Sequence, residues 1–175
     1  MEHYVISPRQ QKVMSCLICM PQKILSLHGQ NNVSEFVLHD LCKPECFNLK
    51  KAAYFVDNPD FDQFKGIAGF DCSDVNECSD AWQCPDTFSE IMKKSSFNQK
   101  VRTINHSSVR RGSTEENKLI EEVAQQLLMQ NPRCRTWGLK HDNHGVFLYE
   151  DCPEAQELAD QLEKGLCLLG FCPIY

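Results

Sequence analysis

Thiol and imidazole side chains at metal-ligand spacing stand out in the first third of the chain. Cys16 and Cys19 form a Cys-x-x-Cys pair, and His39, Cys42 and Cys46 follow within one short segment. Cysteine and histidine are ligands that zinc prefers in proteins, and thiolates also hold iron–sulfur clusters. These five side chains are therefore the candidate metal ligands, and zinc is the candidate cofactor.

The second group of ligands lies in the stretch 32–46, which the sequence predicts to be a short capped helix that presents His39 and Cys42 and ends just before Cys46. Asn32 followed three residues later by Glu35 is typical of a helix N-cap with a reciprocal carboxylate. Pro44 is expected to stop the helix, because proline has no amide donor and clashes with the preceding turn. The local structure and the candidate ligands therefore coincide in one segment.

The apolar residues of this predicted helix recur at helical spacing, with a stripe centred near Phe36 and Val37. At roughly 100° per residue, His39 and Cys42 project from the other side. Burial of that stripe does not account for the pair, which supports a chemical role for it.

Ordinary buried thiols are the alternative to a metal site. Cys16 lies on the apolar stripe of a predicted first helix, which begins at Ser7-Pro8 and ends at Pro21. Reduced cysteine is among the most buried residue types, so such a position needs no ligand. Three later cysteines are expected to lie in or near the core: Cys152, Cys167 and Cys172.

An enzyme with a cysteine nucleophile is a further alternative. A thiolate forms near neutral pH beside a cationic neighbour, and a histidine would have to act as the base. Four histidines are available for that role: His28, His39, His106 and His144. The sequence pairs none of them with a particular cysteine, and it contains no nucleophile elbow, phosphate-binding loop or dinucleotide fingerprint.

The composition predicts one intracellular domain. A chain of 175 residues with 42% hydrophobic and 24% charged residues can bury a core without help from a metal or a disulfide. The N-terminus lacks the basic region and apolar run of a signal peptide, so the eleven cysteines are expected to be thiols kept reduced in the cytoplasm. No apolar run approaches the roughly 18 residues of a membrane helix, so no membrane partner is expected.

Basic residues are concentrated in one block of the sequence. Residues 91–112 carry six basic and no acidic residues, a net +6, whereas the segments before and after have 7 against 13 and 5 against 11, a net −6 each. We expect this block to be a basic loop between an N-terminal cysteine-rich part and a C-terminal helix–hairpin–helix part. A solvated loop without a ligand would also fit this charge pattern.

The end of the basic block has the residues of an anion site. Arg110 and Arg111 directly precede a predicted helix whose N-terminal amides also favour negative charge. Together with His106 and Ser108 they form the candidate site for a small anion or a phosphorylated ligand. Nucleic acid is not expected, because the chain is acidic as a whole and aromatic residues are sparse in this block.

Hydrophobic periodicity places the remaining elements. Residues 52–56 and 67–70 have the composition of strands. Ser113 and Glu116 form a capping box that begins an amphipathic helix, with a stripe that reaches Leu128. A hairpin and a last helix are predicted to follow.

These patterns predict an α+β fold, a single domain over residues 1–175 with a small, mostly antiparallel sheet packed against several amphipathic helices. The function we expect is that of an interaction or regulatory protein with a thiolate and histidine zinc site and an anion-binding basic segment. A protein partner fits the lack of a recognised catalytic motif. The alternatives are the cysteine enzyme and a globular domain whose thiols are only buried.

Overall fold

A five-stranded antiparallel sheet lies at the centre of the fold. The computed structural model describes residues 6–75 and 80–174 and orders the strands β3-β2-β1-β5-β4. The strands are β1 (Lys51–Asn58), β2 (Gln63–Asp71), β3 (Asn105–His106), β4 (Pro132–Gly138) and β5 (His144–Glu150). The two predicted strands and the predicted hairpin are confirmed, and each strand is longer than its apolar pattern.

Seven α-helices in the described part of the chain surround this sheet. They are α1 (Pro8–Ser26), α2 (Val33–Cys42), α3 (Pro85–Lys94), α4 (Ser96–Thr103), α5 (Thr114–Gln126), α6 (Pro153–Glu157) and α7 (Ala159–Leu166). Short 3-10 turns cover Pro59–Phe61 and Cys167–Phe171. The α+β prediction is confirmed.

Side chains alternate across the central strands and fill two cores. Tyr54 of β1 and Phe147 of β5 belong to the larger core, which α1, α2, α3 and α7 cover. Phe55 and Val146 point to the opposite side and belong to a smaller core, which α4 and α5 cover. This alternation follows from the two-residue period of a strand. We call these two sides of the sheet the α2 face and the α5 face.

The structure corrects the prediction that α2 is amphipathic. All ten of its residues are buried, including Glu35, His39 and Asp40. The helix ends at Cys42, before Pro44 as predicted, but the side chain of Asn32 makes no cap. Its amide donates instead to the Glu35 carboxylate, 2.9 Å away. A helix buried on every side cannot be recognised by one apolar stripe.

α1 begins as predicted but does not stop at Pro21. The Ser7 hydroxyl accepts a hydrogen bond from the Gln10 amide, and the Gln10 side chain accepts from the Ser7 amide. The helix runs through Pro21 to Ser26 because Met20 and Ile24 are buried on one face, and this packing outweighs the lost backbone bond.

The predicted basic loop is also corrected, since most of residues 91–112 lies in helices. α3 ends and α4 begins around Ser95, whose hydroxyl accepts from the Asn98 amide, 3.1 Å away. Met92 and Val101 anchor the two helices in the core, with their lysines exposed on the other side. A prediction based on charge alone missed these apolar anchors.

The C-terminal part joins the same sheet as the N-terminal strands, because β5 pairs with β1. α5 ends at Gln126, so Leu127 is buried but Leu128, predicted as part of the stripe, is 70% exposed. The predicted last helix is broken into α6, α7 and the final 3-10 turn. The predicted helix–hairpin–helix part therefore belongs to the same fold as the N-terminal part.

Candidate thiol site

A cleft of about 720 Å³ opens where α1 passes the turn that follows α2. All five predicted metal ligands line this cleft, and so does one cysteine that the sequence analysis did not select. The cysteines and the histidine in its wall are Cys16, Cys19, His39, Cys42, Cys46 and Cys72. The structure therefore brings the predicted ligands into one region, although their individual surroundings differ.

Cys16 and Cys46 line the same cleft and interact, because each thiol shifts the pKa of the other. Cys46 is fully buried, whereas Cys16 is partly exposed on α1. The guanidinium of Arg9, also on α1, donates to the carbonyls of Pro44 and Cys46 and so holds the turn against the helix. The dithiol is thus fixed between two elements of the backbone.

The charges around this dithiol make the two thiols unequal. The hydrogen bond from Cys46 lowers the pKa of Cys16, and Lys23 and Lys43 lower it further, against the opposing effects of burial and Asp40. The bond to Cys16, together with burial, raises the pKa of Cys46. Of the two, Cys16 is therefore the thiol that ionises more readily, and Cys46 is the one that keeps its proton.

Asp40 organises the cations of the cleft. Its side chain is 1% exposed, and its carboxylate lies 2.9 Å from the Lys23 ammonium and 2.7 Å from the Lys43 ammonium. The Trp82 indole donates to the same carboxylate at 2.8 Å. Burial opposes ionisation of Asp40, but hydrogen bonds from His39, Lys43 and Lys23 outweigh it and hold the pKa of this carboxyl well below its usual range.

The other predicted ligands of α2 have core surroundings. The His39 ring packs against Phe88 and Phe70, with ring centroids 5.0 Å and 5.7 Å away. Cys42 is buried, and burial raises its pKa well above the usual value, followed by smaller contributions from Cys72 and Cys152. Cys42 is therefore a protonated thiol at neutral pH.

Zinc binding stays a prediction. Within residues 6–75 and 80–174, no three His, Cys, Asp or Glu side chains are arranged to hold a metal ion. Cys16 and Cys46 supply two adjacent donors, but Cys42 and His39 face the core, and Cys19 lies one turn further along α1. A metal bound here would require His39 or Cys42 to turn toward the cleft.

The four predicted anion-binding residues are engaged in separate contacts or open to solvent. His106 lies in the short strand β3 and pairs with Phe64 of β2. The Ser108 amide donates to the Asp62 carboxylate, 3.0 Å away. Arg110 is exposed, while the Arg111 guanidinium donates to the carbonyl and hydroxyl of Thr136, both 3.2 Å away. The anion site also stays a prediction.

The N-terminus of α5, next to these residues, already has a negative group. The Ser113 hydroxyl accepts from the Glu116 amide at 3.1 Å, which confirms that half of the capping box. The Glu116 carboxylate accepts from the Gly112 amide at 2.5 Å. An external anion would compete with this carboxylate for the positive end of the helix.

Sequence reasoning missed the residues that set the charge of the cleft. Lys43 follows Asp40 by three residues, a spacing at which helical ion pairs meet, so this pair could have been found. Lys23, Trp82 and Arg9 reach the cleft from other elements, and no local pattern indicates them. The basic residues that matter here lie outside the block 91–112.

Comparison with protein-family models, with curated proteins and with solved structures gives no match to this chain. Among the helices of the described residues, none has the length and apolar character needed to cross a membrane. The argument for function therefore rests on the geometry of the cleft.

Proposed function

We propose that this chain is a regulatory protein with a thiol switch, in which oxidation joins Cys16 to Cys46. The observation that carries the proposal is that a partly exposed thiol on α1 and a buried thiol in the turn after α2 line the same cleft and shift each other's pKa. An accessible cysteine with a lowered pKa beside a second thiol is the arrangement of redox-sensing cysteines.

The oxidant in this proposal is a peroxide, ROOH. The Cys16 thiolate attacks the terminal peroxide oxygen, the O–O bond breaks, and ROH leaves after it takes up a proton. The Cys46 sulfur then attacks the resulting sulfenic acid, the S–OH bond breaks, and water leaves with the Cys46 proton. Two thiols give up two electrons, and the peroxide is reduced to ROH and water.

The disulfide would change how firmly α1 is held. In the reduced protein, α1 is joined to the turn after α2 by the Arg9 hydrogen bonds and by apolar packing. A covalent link between Cys16 and Cys46 closes a loop that contains α2, which stabilises the folded chain by about 3–4 kcal/mol in the chain-entropy model. A protein partner that requires movement of α1 would distinguish the two states.

The test is to treat the reduced protein with hydrogen peroxide, block the remaining thiols and map the disulfides by mass spectrometry. We expect one new disulfide, between Cys16 and Cys46, and a higher melting temperature. Cys46→Ser should leave Cys16 as a sulfenic or further oxidised acid. Cys172→Ser is the matched control, because burial also raises the pKa of that buried thiol, to about 12, but it lies outside the cleft.

The proposal is wrong if peroxide oxidises Cys16 no faster than the exposed Cys167. It is also wrong if the disulfide that forms links other cysteines while the protein remains folded. The rate of Cys16 oxidation should rise with pH and level off once this thiol is ionised, since the reacting form is the thiolate.

Zinc regulation through the same cleft is the second candidate, because all five predicted ligands line it. Elemental analysis of protein purified without chelator separates the two functions. Stoichiometric zinc that is lost in Cys46→Ser and released by peroxide would favour the metal site. Protein without zinc that still forms the disulfide would favour the thiol switch alone.

A further inference from the structure

Three thiols along the wall of the cleft differ in their exposure to solvent. Cys19 is exposed on α1, Cys16 is partly buried one turn earlier, and Cys46 is fully buried below it. All three line the same cleft. An oxidant as small as a peroxide can reach the middle thiol, but a larger disulfide needs an open sulfur for in-line attack. Cys19 is the open sulfur of this series.

Residues three apart on a helix are neighbours, with Cβ atoms about 5–6 Å apart. Cys19 and Cys16 have this relationship, and Cys16 in turn shares the cleft with Cys46, whose pKa it shifts. Each thiol is therefore next to the following one, from the mouth of the cleft to its floor. This order would allow a disulfide to be passed inward by exchange.

The charges in the cleft favour an anion, although the whole chain has a net charge of −6. Lys23 and Lys43 share the single carboxylate of Asp40, so these three groups together carry one net positive charge. Lys50 and Glu45, which also line the cleft, offset each other. The Lys23 ammonium stays charged, because its ion pair with Asp40 outweighs burial and raises its pKa.

From these contacts we propose that the cleft is an exchange site for a small disulfide that carries carboxylates, with Cys19 as the attacking thiol and Lys23 and Lys43 as the groups that attract the carboxylates. This inference rests on the proposed function, since it names a second oxidant for the same Cys16 and Cys46 pair. A cleft of about 720 Å³ has room for a molecule of tripeptide size.

The exchange has three steps, written for a disulfide RS–SR. The Cys19 thiolate attacks one sulfur, the S–S bond breaks, and RS⁻ leaves and takes up a proton. The Cys16 thiolate then attacks the Cys19 sulfur and releases the second RS⁻. The Cys46 sulfur, after giving its proton to that RS⁻, attacks Cys16 and returns Cys19 as a thiolate.

The balance is two protein thiols plus RS–SR giving one protein disulfide plus two RSH. The disulfide between Cys16 and Cys19 is short-lived, because a disulfide needs Cβ atoms about 3.5–4.5 Å apart and the helix holds them further apart. That strain favours transfer to Cys46.

Trapping the first step tests the role of Cys19. Cys16→Ser removes the resolving thiol, so glutathione disulfide should leave a stable mixed disulfide on Cys19 that peptide mapping identifies. In the wild type, the same probe should give the Cys16 and Cys46 disulfide with Cys19 returned to the reduced form. The inference is overturned if glutathione is distributed equally over Cys19 and the exposed thiols Cys84 and Cys167.

A rapid acid quench of the wild type keeps this test valid if Cys16→Ser is unfolded. At early times the only glutathione adduct should be on Cys19, before resolution removes it. An early adduct on Cys16 instead would show that Cys16 attacks first, and the role given to Cys19 would be wrong.

The charge of the probe tests the role of the lysines. The reduced protein should react faster with glutathione disulfide than with the neutral hydroxyethyl disulfide, after each rate is divided by that of a model thiol. Lys43→Gln should lower this preference about threefold, as expected for one charge a few ångströms from the bound carboxylate. Lys164→Gln, on the exposed side of α7, is the matched control and should not change it.

If Lys43→Gln and Lys164→Gln prefer glutathione disulfide over hydroxyethyl disulfide equally, the proposed ligand class is overturned. If peroxide forms the Cys16 and Cys46 disulfide but glutathione disulfide reacts at random, the thiol switch stands and the exchange site does not. If neither oxidant forms that disulfide, the proposed function fails as well. The two proposals can therefore be judged separately.

Discussion

The two faces of the sheet differ in what they bury. The α5 face is covered by apolar side chains such as Phe55, Val101 and Val123, and one buried carboxylate, Asp57, lies on the Phe55 side of β1. On the α2 face, α2 alone buries Glu35, His39 and Asp40 beside its apolar residues. The α5 face is a mostly apolar support, and the α2 face combines packing with several paired charges and thiols.

This difference indicates where to look for chemistry. A buried charge lowers stability unless partners compensate it, so an apolar helix in place of α2 would fold at least as well. Glu35 is compensated by Asn98 and Arg102, at 2.8 Å and 2.9 Å, and it ties α2 to α4. Asp40 instead holds two lysines in the cleft that the thiols line, and this is the arrangement on which we base the proposed function.

The largest effect should come from the apolar face. Leu127→Ala removes a side chain that is 2% exposed and should lower the free energy of unfolding by about 2–5 kcal/mol. Leu128→Ala is the control, because Leu128, the next residue in the chain, is 70% exposed. Denaturant unfolding measures both. A loss below about 0.5 kcal/mol for Leu127→Ala, within the range of ordinary surface substitutions, would show that this face is not the support we describe.

An intermediate effect is expected from Asp40→Asn on the α2 face. The amide keeps an acceptor for Trp82 but leaves Lys23 and Lys43 without a counter-charge. Loss of one partner from a buried pair costs about 3–5 kcal/mol, and the cost here should be smaller because the two lysine side chains are 37% and 24% exposed. Asp60→Asn, at an exposed carboxylate, is the control.

The pH dependence of that effect has a definite sign. The folded protein depresses the pKa of Asp40 below its usual 3.8, so the stabilisation is fully present above that value and is lost as the pH falls through and below it. The difference in unfolding free energy between wild type and Asp40→Asn should be constant above about pH 5 and shrink below about pH 4. A difference that grows in acid would contradict the role given to Asp40.

The smallest effect concerns the predicted anion site beside the α5 face. Sulfate should raise the melting temperature of the wild type by a few degrees more than that of the double variant Arg110→Ala, Arg111→Ala. The charge-matched control, Lys118→Ala with Lys140→Ala, corrects for the general effect of sulfate. Equal shifts in all three proteins would show that Arg110 and Arg111 bind no anion.

The elements with strong local signals could be predicted from the sequence. The capping pattern at Ser7 and Pro8 located the start of α1, and the stripe after Ser113 located α5. Short continuous apolar runs, residues 52–56 and 146–149, located β1 and β5. Each of these patterns is created by residues that are close in the chain, which is why one sequence suffices to see them.

The rest depends on contacts between distant residues. α2 was expected to expose one side because its polar residues are charged, but the partners of Glu35 and Asp40 come from α4 and α1. The Cys16 and Cys46 pair is likewise formed by two elements that no spacing rule connects. The sequence identified four of the five cysteines that line the cleft and missed Cys72, and the different surroundings of these thiols could be seen only in the fold.

The pairing of β1 with β5 also constrains the order of events during synthesis. Ala52 of β1 aligns with Tyr149 of β5, so the central strand of the sheet has an open edge until nearly the whole chain has left the ribosome. Such long-range pairing slows folding, and an unpaired apolar edge is prone to join another chain. A nascent or truncated chain that stops before β5 would therefore aggregate through β1, even though every residue of the Cys16 and Cys46 pair is already present.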